Sequence, residues 1–129
     1  RTIRLNYLGA VKMILGVLPH MTERKGGHIV NVSSIGAQTN PPRFSAYVAS
    51  KAALDAFTRV VSSETIGDNV TFTTIHMPLV RTPMIAPTKI YDSFPTISPD
   101  EASIVLSISR ASVVLPEPDS PTIPRFSPG

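Results

Sequence analysis

His28-Ile29-Val30-Asn31-Val32-Ser33-Ser34 is the stretch whose reading decides the fold. It is short, rich in β-branched residues and preceded by the glycine pair Gly26-Gly27, which predicts a buried strand. Helical patterns flank it on both sides. Upstream, Leu8, Val11, Leu15 and Leu18 recur at spacings of three and four, predicting a helix from Leu5 to about His20. Met13, Ile14 and Val17 widen its apolar surface, so it is expected to pack on a sheet and a neighbour, with Pro19 and then Gly26-Gly27 closing it. Downstream, a loop containing Gly36, Pro41 and Pro42 leads into a predicted helix from Ser45 to about Thr65. Ala49, Ala53, Phe57, Val60 and Val61 share one face of it, beside a smooth stripe of Ala52 and Ala56. Asp68-Asn69 then turns into a second predicted strand, Val70 to His76. Helix, strand, helix, strand is the pattern of an α/β fold with a parallel sheet.

Composition narrows the function. The chain has 129 residues, 42% of them hydrophobic, enough for one small globular domain. Its longest apolar run, Met13 to Leu18, stops at Pro19, far short of the roughly 20 residues that span a bilayer. No signal peptide is visible, so a cytoplasmic location is expected. With no cysteine, there is neither a disulfide nor a thiolate nucleophile or metal ligand. His20, His28 and His76 lack metal-ligand spacing, so no metal is expected. The net charge of +3 arises from twelve scattered basic residues, which argues against a nucleic-acid partner.

The chemistry concentrates in Ser34, Tyr47 and Lys51. Tyr47 and Lys51 stand four apart on the predicted helix, about 6 Å along its axis and on one face. An ammonium beside a phenol favours the phenolate, which fits a tyrosine for general acid–base work. Ser34 ends a strand, where ligand crevices open in α/β sheets, and its hydroxyl could bind a carbonyl oxygen.

Beyond Pro78 the character changes, and ten of the thirteen prolines lie from there to the end. Residues 83–99 read as an ordered loop with a short helix. Past Ala102 the pattern fades, and the last nineteen residues carry five prolines without amphipathic period. Residues 103–129 are therefore expected to form a poorly structured, irregular Pro-rich tail foreign to the fold, beginning at a frame change or junction between Ala102 and Arg110. Pro116 and Pro118 also allow an interaction-module reading, as a polyproline II ligand.

The stretch from Gly26 through Ser34 to Tyr47-Val48-Ala49-Ser50-Lys51-Ala52-Ala53 resembles the short-chain dehydrogenase/reductase family, whose serine-to-tyrosine step is also thirteen residues. Asn6-Tyr7-Leu8-Gly9 looks like the family's helix with the fourth catalytic residue, an asparagine. Pro78-Leu79-Val80-Arg81-Thr82 looks like the loop that meets the nicotinamide carboxamide. The resemblance runs from about Asn6 to Ala102 and implies a partial Rossmann-type, doubly wound parallel sheet over residues 1–102. That is the catalytic half of the domain: the Gly-rich phosphate-binding turn is absent, and the chain starts at Arg1 rather than Met, so the dinucleotide-binding half is expected to be missing. Leu79 also stands where the family often has glycine.

The roles implied are these. Tyr47 donates a proton to the substrate oxygen, Lys51 assists it and holds the nicotinamide ribose, Ser34 orients the carbonyl, and Asn6 positions a water leading to Lys51. Pro78, Val80 and Thr82 seat the nicotinamide. The segments from His76 to Tyr91 and from Pro95 to Ala102 look like bacterial fatty acyl-coenzyme A reductases of this family, which reduce an acyl thioester to an aldehyde with NADPH. NADPH is therefore expected over NAD, with Met84, Ile85, Ile90, Tyr91 and Phe94 lining an acyl tunnel. The resemblance further implies a homo-oligomer packed through the first helix and the Tyr47 helix. The open alternatives are another family activity on an alcohol or ketone, and an inactive fragment.

Overall fold

The computed structural model describes residues 1–111. A helical segment opens the chain. Its first turns, Arg4–Gly9, are wound as a π-helix and continue as α1, Ala10–Glu23. Pro19 lies inside α1 and does not close it, correcting the expected end. The helix stops one turn later, where Thr22 Oγ1 donates to Pro19 O and the Arg24 N–H to His20 O. Strand β1, Gly27–Ser34, follows at once. Gly27 is required there, because a Cβ would sit 2.6 Å from Met21 Sδ of the preceding helix.

After a short helix α2, Gly36–Thr39, comes α3, Ser45–Thr65, as the periodicity predicts. A 3₁₀ turn, Ile66–Asp68, leads into β2, Val70–Met77. β1 and β2 pair in parallel from Gly27↔Val70 to Ser34↔Met77, closing one β–α–β unit. Beyond Pro78, β3, Leu79–Val80, pairs in parallel with β4, Thr96–Ile97, across a loop holding the 3₁₀ turn Lys89–Ser93.

The face that α3 buries differs from the alanine-rich face expected. Ser50, Leu54, Asp55, Thr58, Val61 and Thr65 are buried, whereas Val60 is exposed. Polar groups can occupy this face because their hydrogen bonds close internally. Ser50 Oγ donates to Tyr47 O at 2.6 Å, Thr58 Oγ1 to Leu54 O at 2.7 Å and Thr65 Oγ1 to Val61 O at 2.9 Å. Asn31 Nδ2 of β1 then donates to Thr58 Oγ1 at 2.8 Å, locking strand to helix. Val70 and Ile75 of β2 complete the core with Ile14 of α1.

The last helix corrects the expected end of order at Ala102. α4 runs Pro99–Ala111, nine residues further. A reciprocal cap starts it: the Ser98 N–H donates to Glu101 Oε2 at 2.7 Å, and the Glu101 N–H to Ser98 Oγ at 3.2 Å. Pro99 takes the first helical position, where its missing N–H is harmless. The remainder of the Pro-rich tail, including Pro116 and Pro118, lies outside the described residues.

Candidate active site

β1 and β2 end level with one another, Ser34 beside Met77, and Pro78 leaves the sheet at that carboxyl edge. This edge is where open α/β sheets bind their ligands. The Ile35 N–H donates to Met77 O at 3.0 Å, so the two strand ends stay together as the chain turns away. Ser34 Oγ accepts the Gly36 N–H at 3.1 Å. That bond fixes the oxygen and leaves the hydroxyl hydrogen free for an incoming acceptor.

α3 crosses the same edge. Lys51 Nζ donates to Val32 O at 2.7 Å, two residues before Ser34, so the Lys51 turn sits over the end of β1. Burial pushes the Lys51 amine below its ordinary value, and the Asp55 carboxylate partly restores it. Tyr47, one turn earlier on α3, is about a third exposed at 36%, and its hydroxyl makes no hydrogen bond to a described residue.

Asn6 joins from the N-terminal helix. It lies within the π-wound turns, a departure from α-geometry that often marks functional positions. Its Nδ2 donates to Ser50 Oγ at 3.2 Å, and Ser50 in turn donates to Tyr47 O. The first helix, β1 and α3 thus deliver Asn6, Ser34, Tyr47 and Lys51 to one end of the unit. Ser50, fully buried, is the connecting residue that sequence reasoning passed over. Its place three residues after Tyr47 was the available sign.

The loop after β2 brings Pro78, Val80 and Thr82 from the same edge. Val80 is held in β3, and Arg81 pins the turn through its N–H to Ile97 O and its guanidinium to Thr96 Oγ1. Thr82 Oγ1 is buried without a partner among the described residues. Of the expected tunnel residues, Ile85 packs into the core and Tyr91 rests on Phe44 with ring centroids 6.0 Å apart. Met84, Ile90 and Phe94 stay exposed.

Asp55 and His76 also meet here, and sequence reasoning gave neither a role. His76 Nδ1 lies 3.8 Å from Asp55 Oδ2 and 3.4 Å from Ser34 O. No helix among the described residues is long and apolar enough to cross a membrane, and none of their side chains form a metal-binding cluster.

A parallel β–α–β unit with polar groups gathered at its strand ends belongs to the nucleotide-dependent α/β enzymes in layout. The short chain dehydrogenase family model matches residues 1–90, and the chain belongs to that family of oxidoreductases. An uncharacterized oxidoreductase of Mycobacterium tuberculosis is 63% identical over 107 residues, covering 83% of this chain and 31% of that protein. The fatty acyl-CoA reductase of Acinetobacter baylyi is 62% identical over 103 residues, covering 80% of this chain and 35% of the reductase. The chain thus spans about a third of the length of these curated relatives. Among solved structures, a short chain dehydrogenase from Burkholderia cenocepacia in complex with NADP superposes with a TM-score of 0.71 at 28% identity, over 84% of this chain and 43% of that one. A 3-oxoacyl (acyl-carrier-protein) reductase from Agrobacterium tumefaciens with NADP bound gives 0.69 at 26% identity, over 81% and 44%.

Proposed function

We propose that this chain carries the catalytic half of an NADPH-dependent reductase that converts long-chain fatty acyl-CoA to the fatty aldehyde. The observation that carries this reading is the 62% identity to the Acinetobacter baylyi fatty acyl-CoA reductase over 103 residues. NADPH is favoured over NAD by the NADP in two structural neighbours. Residues 1–102 form the catalytic unit on this reading. A location in the cytoplasm and a homo-oligomeric state belong to the same proposal.

The residues fit a nicotinamide. Thr82 Oγ1, buried and unpartnered, is a ready group for the carboxamide, with Pro78 and Val80 forming the adjoining backbone. Lys51 has two N–H groups beyond the one given to Val32 O, enough to hold ribose hydroxyls. When bound, the reduced nicotinamide supplies a hydride to the carbonyl carbon. Ser34 donates its free hydroxyl hydrogen to the carbonyl oxygen as negative charge grows there. Tyr47 supplies the proton that neutralises this oxygen. Asn6, through Ser50, fixes the α3 turn that carries Tyr47 and Lys51. Collapse of the resulting hemithioacetal restores the carbonyl as aldehyde and releases coenzyme A thiol.

A second reading, reduction of a ketone such as a 3-oxoacyl thioester, draws on the 3-oxoacyl reductase neighbour. Thiol release separates the two. The full-length protein is incubated with NADPH and either palmitoyl-CoA or a 3-oxoacyl-CoA. NADPH oxidation matched by free thiol and aldehyde is the expected result. NADPH oxidation only with the 3-oxo substrate, and without thiol, would establish the second reading. No oxidation with either would mark an inactive protein.

A further inference from the structure

Asp55 is a carboxylate where carboxylates are rarely buried. It is 7% exposed on the inner face of α3, one turn beyond Lys51, and its Oδ1 has no hydrogen-bond partner among the described residues. A bare buried carboxylate is costly unless a cation or donor faces it. His76 approaches it from the end of β2, its Nδ1 3.8 Å from Oδ2, and Lys51 stands four residues before it on the same helical face, with its Nζ given to Val32 O. His76 Nδ1 also lies 3.4 Å from Ser34 O. The Ser34 carbonyl can only accept, so that contact is a hydrogen bond when Nδ1 carries the hydrogen.

We propose that Asp55 is a positioning residue of this site: its buried carboxylate, flanked by the His76 ring, is the counter-charge to the Lys51 ammonium one turn before it on α3. The proposal rests on the catalytic roles assigned above to Lys51 and Tyr47. It accounts for three facts that those roles leave unused: a buried carboxylate, a histidine directed at it, and the restoring influence of Asp55 on the half-buried lysine. The surrounding elements bring no rival. Besides Asp55, α3 carries only Tyr47, Arg59 and Glu64 as further titratable groups. β1 carries only His28, at its far end, and β2 only His76. The N-terminal helical segment carries Arg4, Tyr7, Lys12, His20 and Glu23, and the turn after α3 carries Asp68. Among all of these, Asp55 is the one whose charge acts on Lys51.

The sign follows. Burial lowers the Lys51 value and Asp55 raises it, so removing the carboxylate lowers it further. The ammonium is then lost at lower pH. The test titrates Lys51 by NMR of its side-chain methylene beside Nζ in the full-length protein, wild type against Asp55→Asn and Asp55→Glu. The wild-type midpoint should lie below 10.5, fall further in Asp55→Asn, and recover in Asp55→Glu. The alkaline limb of the NADPH turnover profile should move to lower pH in step, with kcat rather than KM affected, and recover in Asp55→Glu. A folded Asp55→Asn protein with an unmoved Lys51 midpoint overturns the proposal. The wild type offers a check that needs no variant. A long-range ¹H–¹⁵N spectrum should show His76 with its hydrogen on Nδ1, and a neutral His76 bearing it on Nε2 overturns the His76 part of the proposal. If the wild type turns over neither thioester, the functional reading fails, while the Lys51 titration and the His76 spectrum still decide the electrostatic pair.

Discussion

Thr58→Val should destabilise the protein and loosen the site together. Val has the shape of Thr without the hydroxyl, so the side chain still fills its place on α3, where Thr58 is 3% exposed. Two bonds disappear. The one given to Leu54 O leaves a carbonyl that the helix ladder already serves. The one accepted from Asn31 Nδ2 leaves a buried amide donor, in a residue 8% exposed, with nothing to meet it. That asymmetry sets the magnitude: an orphaned buried donor costs about 1–3 kcal/mol, and the residue's own packing costs little. Asn31 is one residue from Val32, whose carbonyl holds Lys51, and three from Ser34. The strand's grip on α3 is therefore also the site's geometry, so kcat should fall as well. Urea unfolding of wild type, Thr58→Val and Thr58→Ser measures the stability term, with Thr58→Ser near wild type because it keeps the hydroxyl. A Thr58→Val protein within about 0.5 kcal/mol of wild type would refute the reasoning.

Two further outcomes are expected. Tyr47→Phe in the full-length protein should lower turnover at least ~100-fold, the usual floor for general acid catalysis, while NADPH binding followed by nicotinamide fluorescence persists. A variant keeping a tenth of the rate would remove Tyr47 as proton donor. The bonds Glu101 receives from Ser98 hold its carboxyl below the ordinary 4.5. A depressed carboxylate stabilises above its unfolded value and loses that contribution as pH falls through the folded one, so the start of α4 should open below about pH 4.5. Hydrogen exchange at the α4 amides, compared between neutral and acidic pH, reports it, and equal protection at both would count against the cap.

What was legible in the sequence was what periodicity and spacing encode. Strand β1, helix α3 and strand β2 emerged within a residue at their ends, and the candidate site residues Ser34, Tyr47 and Lys51 rested on the four-residue step of Tyr47 and Lys51, on Ser34 ending a strand, and on the family resemblance. Periodicity failed where hydrogen bonds substitute for apolar character. The inner face of α3 carries Ser50, Asp55, Thr58 and Thr65 beside Leu54 and Val61, and an apolar pattern assigns the four polar ones to water. A proline near a helix end removes a single ladder bond, so α1 persists for another turn past Pro19. Ser98-Pro99-Asp100-Glu101 spells a capped helix start that the fading apolar pattern after Ala102 does not reveal. β3 and β4, two residues each, are too short to leave a pattern.

The site is best separated from its scaffold by asking which polar groups are already committed. Ser50, Thr58 and Thr65 return their hydrogens to carbonyls of their own helix, and Asn6 and Asn31 donate onto two of those same hydroxyls. These bonds tie α3 to β1 and to the first helix, and the hydroxyl hydrogens of Ser50, Thr58 and Thr65 are all committed to them. At the carboxyl edge the accounting is reversed. Ser34 keeps its hydroxyl hydrogen, Lys51 keeps two N–H groups, and Thr82 Oγ1 is buried with no partner among the described residues. A buried unpaired oxygen costs about 1–3 kcal/mol, so a fold that carries one forgoes stability that a bound partner can restore. Alternation along β1 adds a limit to this reasoning. Ser33 Oγ is also buried and unpaired, yet it points to the opposite face of the strand from Ser34, and His28 Nε2 lies at the far end of the same strand. Unpaired atoms alone therefore do not define the site. The candidate site is the carboxyl edge of β1, where Ser34 keeps its hydroxyl hydrogen and Lys51, held on Val32 O, keeps two N–H groups.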